Sequence, residues 1–168
     1  MHRLRMSVVL LIIFVVFVGA FPAYAAPEAS GLPIPRFVSL RATEANMRSG
    51  PGEQYPIVWT YRRQGLPLEV TAEYYHWRRV RDWQGAEGWM HSSMLSAKRS
   101  VIVTGKEPPL HASPDMNGAI VARLESNVIG KVLTCPKDDS WCEIQVSSVK
   151  GWLQRNEIWG VYKLEEID

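Results

Sequence analysis

The side chains able to do chemistry in this sequence are few, and their spacing limits what that chemistry can be. Three of the four histidines, His76, His91 and His111, lie beyond the first residues, and each stands alone. None has the H-x-H or H-x-x-x-H spacing that brings two imidazoles onto one metal ion. The two cysteines, Cys135 and Cys142, enclose Pro136-Lys137-Asp138-Asp139-Ser140-Trp141, which supplies two carboxylates and no histidine. A zinc site would need further ligands close by. If the cysteines are bridged, they are also lost as thiol nucleophiles. No G-x-S-x-G elbow or glycine-rich phosphate loop occurs, and Asp138-Asp139 reads as a solvated turn. This inventory assigns no catalytic residue, no metal and no cofactor. The reading is of a protein that is not an enzyme.

The start of the chain has a different purpose. Arg3 and Arg5 precede an uninterrupted apolar run, Val8–Val18, which leads into Gly19-Ala20-Phe21-Pro22-Ala23-Tyr24-Ala25. That is the layout of a secretory signal peptide, with cleavage expected after Ala25. As a helix the run reaches roughly 17 Å, well short of the ~30 Å hydrocarbon core. An uncleaved membrane anchor is the alternative reading; with cleavage, no membrane span remains. Export to the periplasm or cell envelope places the cysteines in an oxidising compartment, where an even count points to a Cys135–Cys142 disulfide. Removing residues 1–25 takes away two arginines and no acid, leaving seventeen cations against seventeen anions. That balance excludes the charge density of a nucleic-acid binder. The distribution is uneven, with ten basic and six acidic side chains over 36–99, then seven and ten over 100–168. Two ordinary solvated surfaces would explain it, as would a first half that faces something anionic or attracts the second.

The elements that must position these residues are strands. After a Pro/Gly-rich linker, residues 26–35, short β-branched and aromatic stretches alternate with Gly, Pro, Asn and Asp: Arg36–Leu40, Ile57–Tyr61, Leu66–Ala72, Trp77–Arg81 and Gly88–His91. The spacing predicts a small all-β barrel or sandwich. It also repeats. Pro51, Val58, Trp77 and Gly88-Trp89 are echoed by Pro114, Val121, Trp141 and Gly151-Trp152, about 63 residues on. The layout is therefore two units, 36–98 and 99–168, each near the smallest size at which a barrel folds alone. The short junction at Lys98–Ser100 puts them in contact. Trp77 and Val80 have opposite parity on a strand, as do Trp141 and Ile144, so core Val80 and Ile144 would start both tryptophans on the outer face. An outward Trp is either a binding anchor or covered by a loop or by the other unit.

Asn46-Met47-Arg48-Ser49-Gly50-Pro51-Gly52, Tyr55-Pro56-Ile57-Val58, Trp77-Arg78-Arg79-Val80 and Gly85-Ala86-Glu87-Gly88-Trp89, taken in order, closely resemble the bacterial SH3-like (SH3b) domain. The second unit keeps a weaker copy, with Leu110 and His111 where Met47 and Arg48 stand in the first. The resemblance implies two tandem SH3-like β-barrels in an exported protein. In the first unit, Gly50-Pro51-Gly52 would force a turn, with Gly permitting φ > 0. Gly88 would allow close backbone approach, and Arg48 would act structurally. The cysteines would join neighbouring strands of a hairpin in the second unit. Because such domains often target cell-wall enzymes, the resemblance implies a non-catalytic binding module for peptidoglycan or its peptide stems. The alternative is an interaction module for another envelope protein with no affinity for glycan. The candidate ligand-binding residues are Tyr55, Tyr74, Tyr75, Trp77, Arg79 and Trp89, although these aromatics could equally be core or inter-unit packing. Arg62, Arg63, Arg78, Arg79 and Arg81 are placed to meet carboxylates.

Overall fold

A computed structural model describes residues 30–168. The predicted signal segment, 1–25, and residues 26–29 of the linker lie outside the described residues. Among the described residues no helix is long and apolar enough to cross a membrane.

The first unit contains strands β1 (Arg36–Leu40), β2 (Ala45–Arg48), β3 (Ile57–Tyr61), β4 (Pro67–Tyr74), β5 (Trp77–Arg81), β6 (Glu87–His91) and β7 (Leu95–Ser96). The second contains β8 (Ser100–Val103), β9 (Pro109–His111), β10 (Ile120–Arg123), β11 (Ile129–Thr134), β12 (Trp141–Val146), β13 (Val149–Gln154) and β14 (Ile158–Trp159). The order across the first sheet is β3-β2-β6-β5-β4-β1-β7, and across the second β10-β9-β13-β12-β11-β8-β14, which is the same topology seven strands later. The repeat read from the landmarks is thus a repeat of the whole fold. The all-β, two-unit expectation is borne out.

Each sheet curls round its own core, because a short strand has only one apolar face to bury. Leu40, Met47, Leu68, Val70, Val80 and Met90 fill the first, and Val101, Val103, Leu110, Val132, Ile144 and Leu153 the second. Two glycines show how tight the wrap is. A Cβ on Gly88 would lie 2.8 Å from the Arg48 carbonyl oxygen, and one on Gly151 would lie 2.7 Å from that of His111. The expected close approach at Gly88 is present, and it recurs in the second unit. Gly50 and Gly52 differ from expectation. Neither has positive φ. They are needed for space instead, since a Cβ would collide with the Tyr55 ring at Gly50 and with the Gln54 amide at Gly52.

The hairpins β4–β5 and β11–β12 each shift register once, between Val70 and Ala72 in the first and between Val132 and Thr134 in the second. Just beyond the shift, Glu73 faces Arg78 in the first unit, with Nε 3.0 Å from Oε1. The second unit has the Cys135–Cys142 disulfide at this position, Cα–Cα 4.3 Å, with both cysteines fully buried. An ion pair and a disulfide therefore occupy one cross-strand position. A similar exchange occurs deeper in the barrel. Tyr61 Oη donates to the buried Asp82 carboxylate at 2.9 Å, whereas apolar Leu124 and Val146 hold the corresponding positions.

The units touch through specific chemistry. Phe37 meets Trp159 edge-on with centroids 4.8 Å apart, and Tyr162 lies at 4.7 Å on the same ring. Tyr162 Oη donates to Glu69 at 2.9 Å, and Arg63 donates to the Asn127 carbonyl at 2.7 Å. Burial and the Glu69 carboxylate both push the Tyr162 phenol upward, so it stays a donor. Ile102 of β8 is buried within the core of the first unit. At the junction Gly160 has φ +127° and no room for a Cβ, which would collide with the Ser100 carbonyl oxygen.

Glu73 sets an acid limit on this fold. Burial works to raise its pKa, but hydrogen bonds from Ser30 and Arg36, with the nearby Arg78 charge, hold it down to about 2 from an ordinary 4.5. A lowered folded-state pKa gives stability that is complete above pH 4.5 and is lost as pH falls towards 2. Urea unfolding across that window should show falling stability, and Glu73→Gln should flatten the fall while lowering stability at pH 7. Replacing both cysteines by alanine should cost on the order of 2 kcal/mol in the same assay.

Candidate functional site

The tip of the β4–β5 hairpin carries Tyr74, Tyr75, His76 and Trp77. Tyr75 turns the chain with a left-handed φ of 47°, a conformation that disfavours a bulky side chain and occurs where the surroundings enforce it. Tyr74 and Tyr75 pack edge-to-face at 4.9 Å yet stay 41% and 53% exposed. Trp77 pairs across strands with Tyr74 on one side and His91 on the other, and its ring meets His91 edge-on at 5.5 Å. The expectation of an outward Trp77 holds, and His91 half-covers it.

The facing wall is the loop after β2. Arg48 Nη1 donates to the carbonyls of Glu53 at 3.0 Å and Tyr55 at 2.7 Å, drawing the loop into a closed arch. This is the structural role predicted for Arg48. Two adjoining depressions, about 420 and 320 Å³, lie between arch and hairpin and share Glu53, Trp77 and His91. Glu53 makes no ion pair among the described residues. The groove therefore offers aromatic rings along one side and a free carboxylate on the other.

The six candidate residues separate on this geometry. Tyr74, Tyr75 and Trp77 line the groove together. Arg79 and Trp89 pair across β5 and β6 beside it, on the same sheet face, but Arg79 is committed to Glu87 at 2.7 Å. Tyr55 lies in the arch, with its ring against Gly50. The arginines placed to meet carboxylates do so within their own chain: Arg62 with Glu44, Arg78 with Glu73 and Arg81 with Glu69. Arg63 binds a carbonyl instead. His91, weighed from the sequence only as a metal ligand, and Glu53 were not among the candidate binding residues. Their types carried no signal, because they converge only when the arch closes.

The second unit builds the same arch but buries its tryptophan. His111 Nδ1 lies 3.2 Å from the Gly118 carbonyl, seven residues ahead, as Arg48 reaches Tyr55 seven ahead. His111 is therefore a substitute for Arg48, at a position where the sequence showed only a weaker copy of the motif. Trp141 was expected on the outer face and is instead buried, 7% exposed. His111 stands edge-on against it at 5.2 Å. Gln154, its cross-strand neighbour, donates to Met116 of the arch at 3.0 Å.

A family model for the bacterial SH3 domain matches residues 41–97 and again residues 104–160. The chain belongs to the bacterial SH3 domain family. The arches, the paired hairpins and the two glycines at 88 and 151 are thus features of two SH3 domains in tandem. No curated protein matches the chain. Among solved structures, NlpC1 from Trichomonas vaginalis is similar at 11% identity and TM-score 0.35, covering 79% of this chain and 48% of that one. An NlpC/P60 family protein from Bacillus cereus ATCC 10987 is similar at 14% identity and TM-score 0.33, covering 73% and 55%. This tandem SH3 chain spans about half the length of these structures.

If His111 holds the second arch, His111→Ala should open residues 112–118 to limited proteolysis, while His111→Arg should preserve protection. The same digestion should show Arg48→Ala exposing residues 49–55.

Proposed function

We propose that this protein is an exported, non-catalytic binding module of the cell envelope, and that the groove of its first SH3 domain takes peptidoglycan through its peptide stems. The observation that supports this reading is the half-open aromatic groove at Trp77, whose counterpart in the second domain, Trp141, is buried. Membership in the bacterial SH3 family supports a cell-wall role. Tyr74, Tyr75 and Trp77 offer flat apolar surface to an extended chain, and their few rotatable bonds make ordering cheap. Glu53 supplies a partner for a stem-peptide ammonium, and the ring nitrogens of His76 and Nε2 of His91, whose Nδ1 is held by Ser93, can bond its amides. Export rests on the signal layout, and the buried disulfide fits an oxidising compartment.

A second reading, interaction with another envelope protein, has its own support. β3 is an edge strand on which Ile57, Val58 and Trp59 are 48%, 48% and 54% exposed. Edge strands normally carry charges or Pro that block pairing with a foreign strand. β3 carries neither.

Sedimentation of the purified protein with insoluble peptidoglycan separates the two readings. Saturable retention should fall at least about tenfold in Trp77→Ala, the loss of one well-packed aromatic anchor, and should survive Val58→Lys. Retention absent altogether, or lost only with Val58→Lys, overturns the groove reading.

A further inference from the structure

A second depression lies between the two domains, away from the Trp77 groove. It encloses about 570 Å³ where the end of β1 and the β3–β4 loop face β11 and the inter-domain junction. Its charged lining is Arg41, Lys98, Arg99 and Lys131, with no carboxylate. Of these only Arg99 is paired, to Glu165 at 2.9 Å and to the Gly160 carbonyl at 2.8 Å. Arg41, Lys98 and Lys131 make no ion pair among the described residues, whereas Arg78, Arg79 and Arg81 of the β4–β5 hairpin are each neutralised at close range. Gathering three uncompensated cations in one concavity is repulsive on its own, and the field they focus is relieved by a bound anion.

We propose that this inter-domain cleft is a binding site for a multiply charged anionic group, carboxylate or phosphate. Its walls are pre-set. Gln64 Nε2 donates to the Arg41 carbonyl at 2.8 Å, and Ser100 Oγ donates to the Gly65 carbonyl at 2.6 Å, which fixes one domain to the other across the cleft. The floor is apolar, formed by buried Leu40 and half-buried Ile129. A cation over such a floor competes with less water than on an open surface, so its pairing with an anion is stronger. The guanidinium of Arg99 cannot swing away, being held against Phe37 at 5.8 Å and by Glu165. The Arg99 Nε is buried with no hydrogen-bond partner, so one N–H of that guanidinium is unmet although its charge is paired. Cations come from both domains, Arg41 from the first and Lys131 from the second, with Lys98 at the junction. The site therefore exists only in the tandem protein. It does not depend on the Trp77 groove.

Calorimetric titration of the purified protein at low ionic strength with inorganic pyrophosphate and, separately, with tricarballylate tests the proposal. Saturable one-to-one binding of at least one anion is expected, and the arm that saturates identifies phosphate or carboxylate as the source. Lys98→Ala/Lys131→Ala should weaken that binding about tenfold, the loss of two charge pairs at a partly screened site. Arg123→Ala/Lys150→Ala removes the same charge from exposed positions outside the cleft and should leave binding unchanged, as should Trp77→Ala. Failure of both anions to saturate, or equal weakening by the two double variants, overturns the proposal. All the altered side chains except Trp77 are exposed, and a thermal melt confirms that each variant is folded.

Discussion

The carboxylate of Glu73 is the interaction on which the first domain turns. It is 1% exposed, and a buried ionised group is tolerated only when its charge and its lone pairs are met. Ser30 N and Oγ, each at 2.7 Å, meet it from the N-terminal segment, Arg36 at 2.6 Å from β1, and Arg78 at 3.0 Å from across the hairpin. One side chain thus ties three stretches of chain together. It does so at the base of the hairpin whose tip displays Tyr74, Tyr75 and Trp77. The hairpin is thus anchored one residue below its aromatics.

The second domain satisfies the same requirement by covalent means. Cys135 and Cys142 replace the ion pair, and the Cys135 backbone exchanges hydrogen bonds with Ile167, at 2.7 and 3.0 Å, where the first domain receives Ser30. Each hairpin base therefore secures a segment from one end of the described chain. The domains have kept the backbone and exchanged the chemistry elsewhere too. His111 does what Arg48 does, and Leu124 with Val146 stands where Tyr61 binds Asp82. Side-chain chemistry is free to drift at these positions as long as the distance spanned is conserved.

That drift explains what was legible in the sequence. Strand positions, the 63-residue register and the hairpin cysteines depend on periodicity, turn residues and matched spacing, all local properties of a chain. Val80 and Ile144 are core as parity required, and Trp77 faces outward as parity required. Trp141 obeys the same parity and is nonetheless buried, with His111 of β9 packed edge-on against it. Cover supplied by a distant segment leaves no trace in the alternation of one strand. The inter-domain cleft was hidden for the same reason. Its cations are scattered from Arg41 to Lys131, and only a fold that brings β1 beside β11 collects them. The basic surplus of the first half was visible, but most of its arginines turn out to be spent on internal pairs.

The contacts among Phe37, Trp159, Tyr162 and Glu69 do more than hold two domains side by side. Tandem modules on a flexible linker gain avidity at an effective concentration set by the linker, and each second contact costs the entropy of freezing it. Here that entropy is lost once, during folding, in an interface of edge-packed rings and a half-buried, hydrogen-bonded phenol. A polymer long enough to reach both the groove and the cleft would meet two sites already at fixed separation. The tandem would then act as a ruler, selecting among repeating ligands by the spacing of their groups as well as by their chemistry.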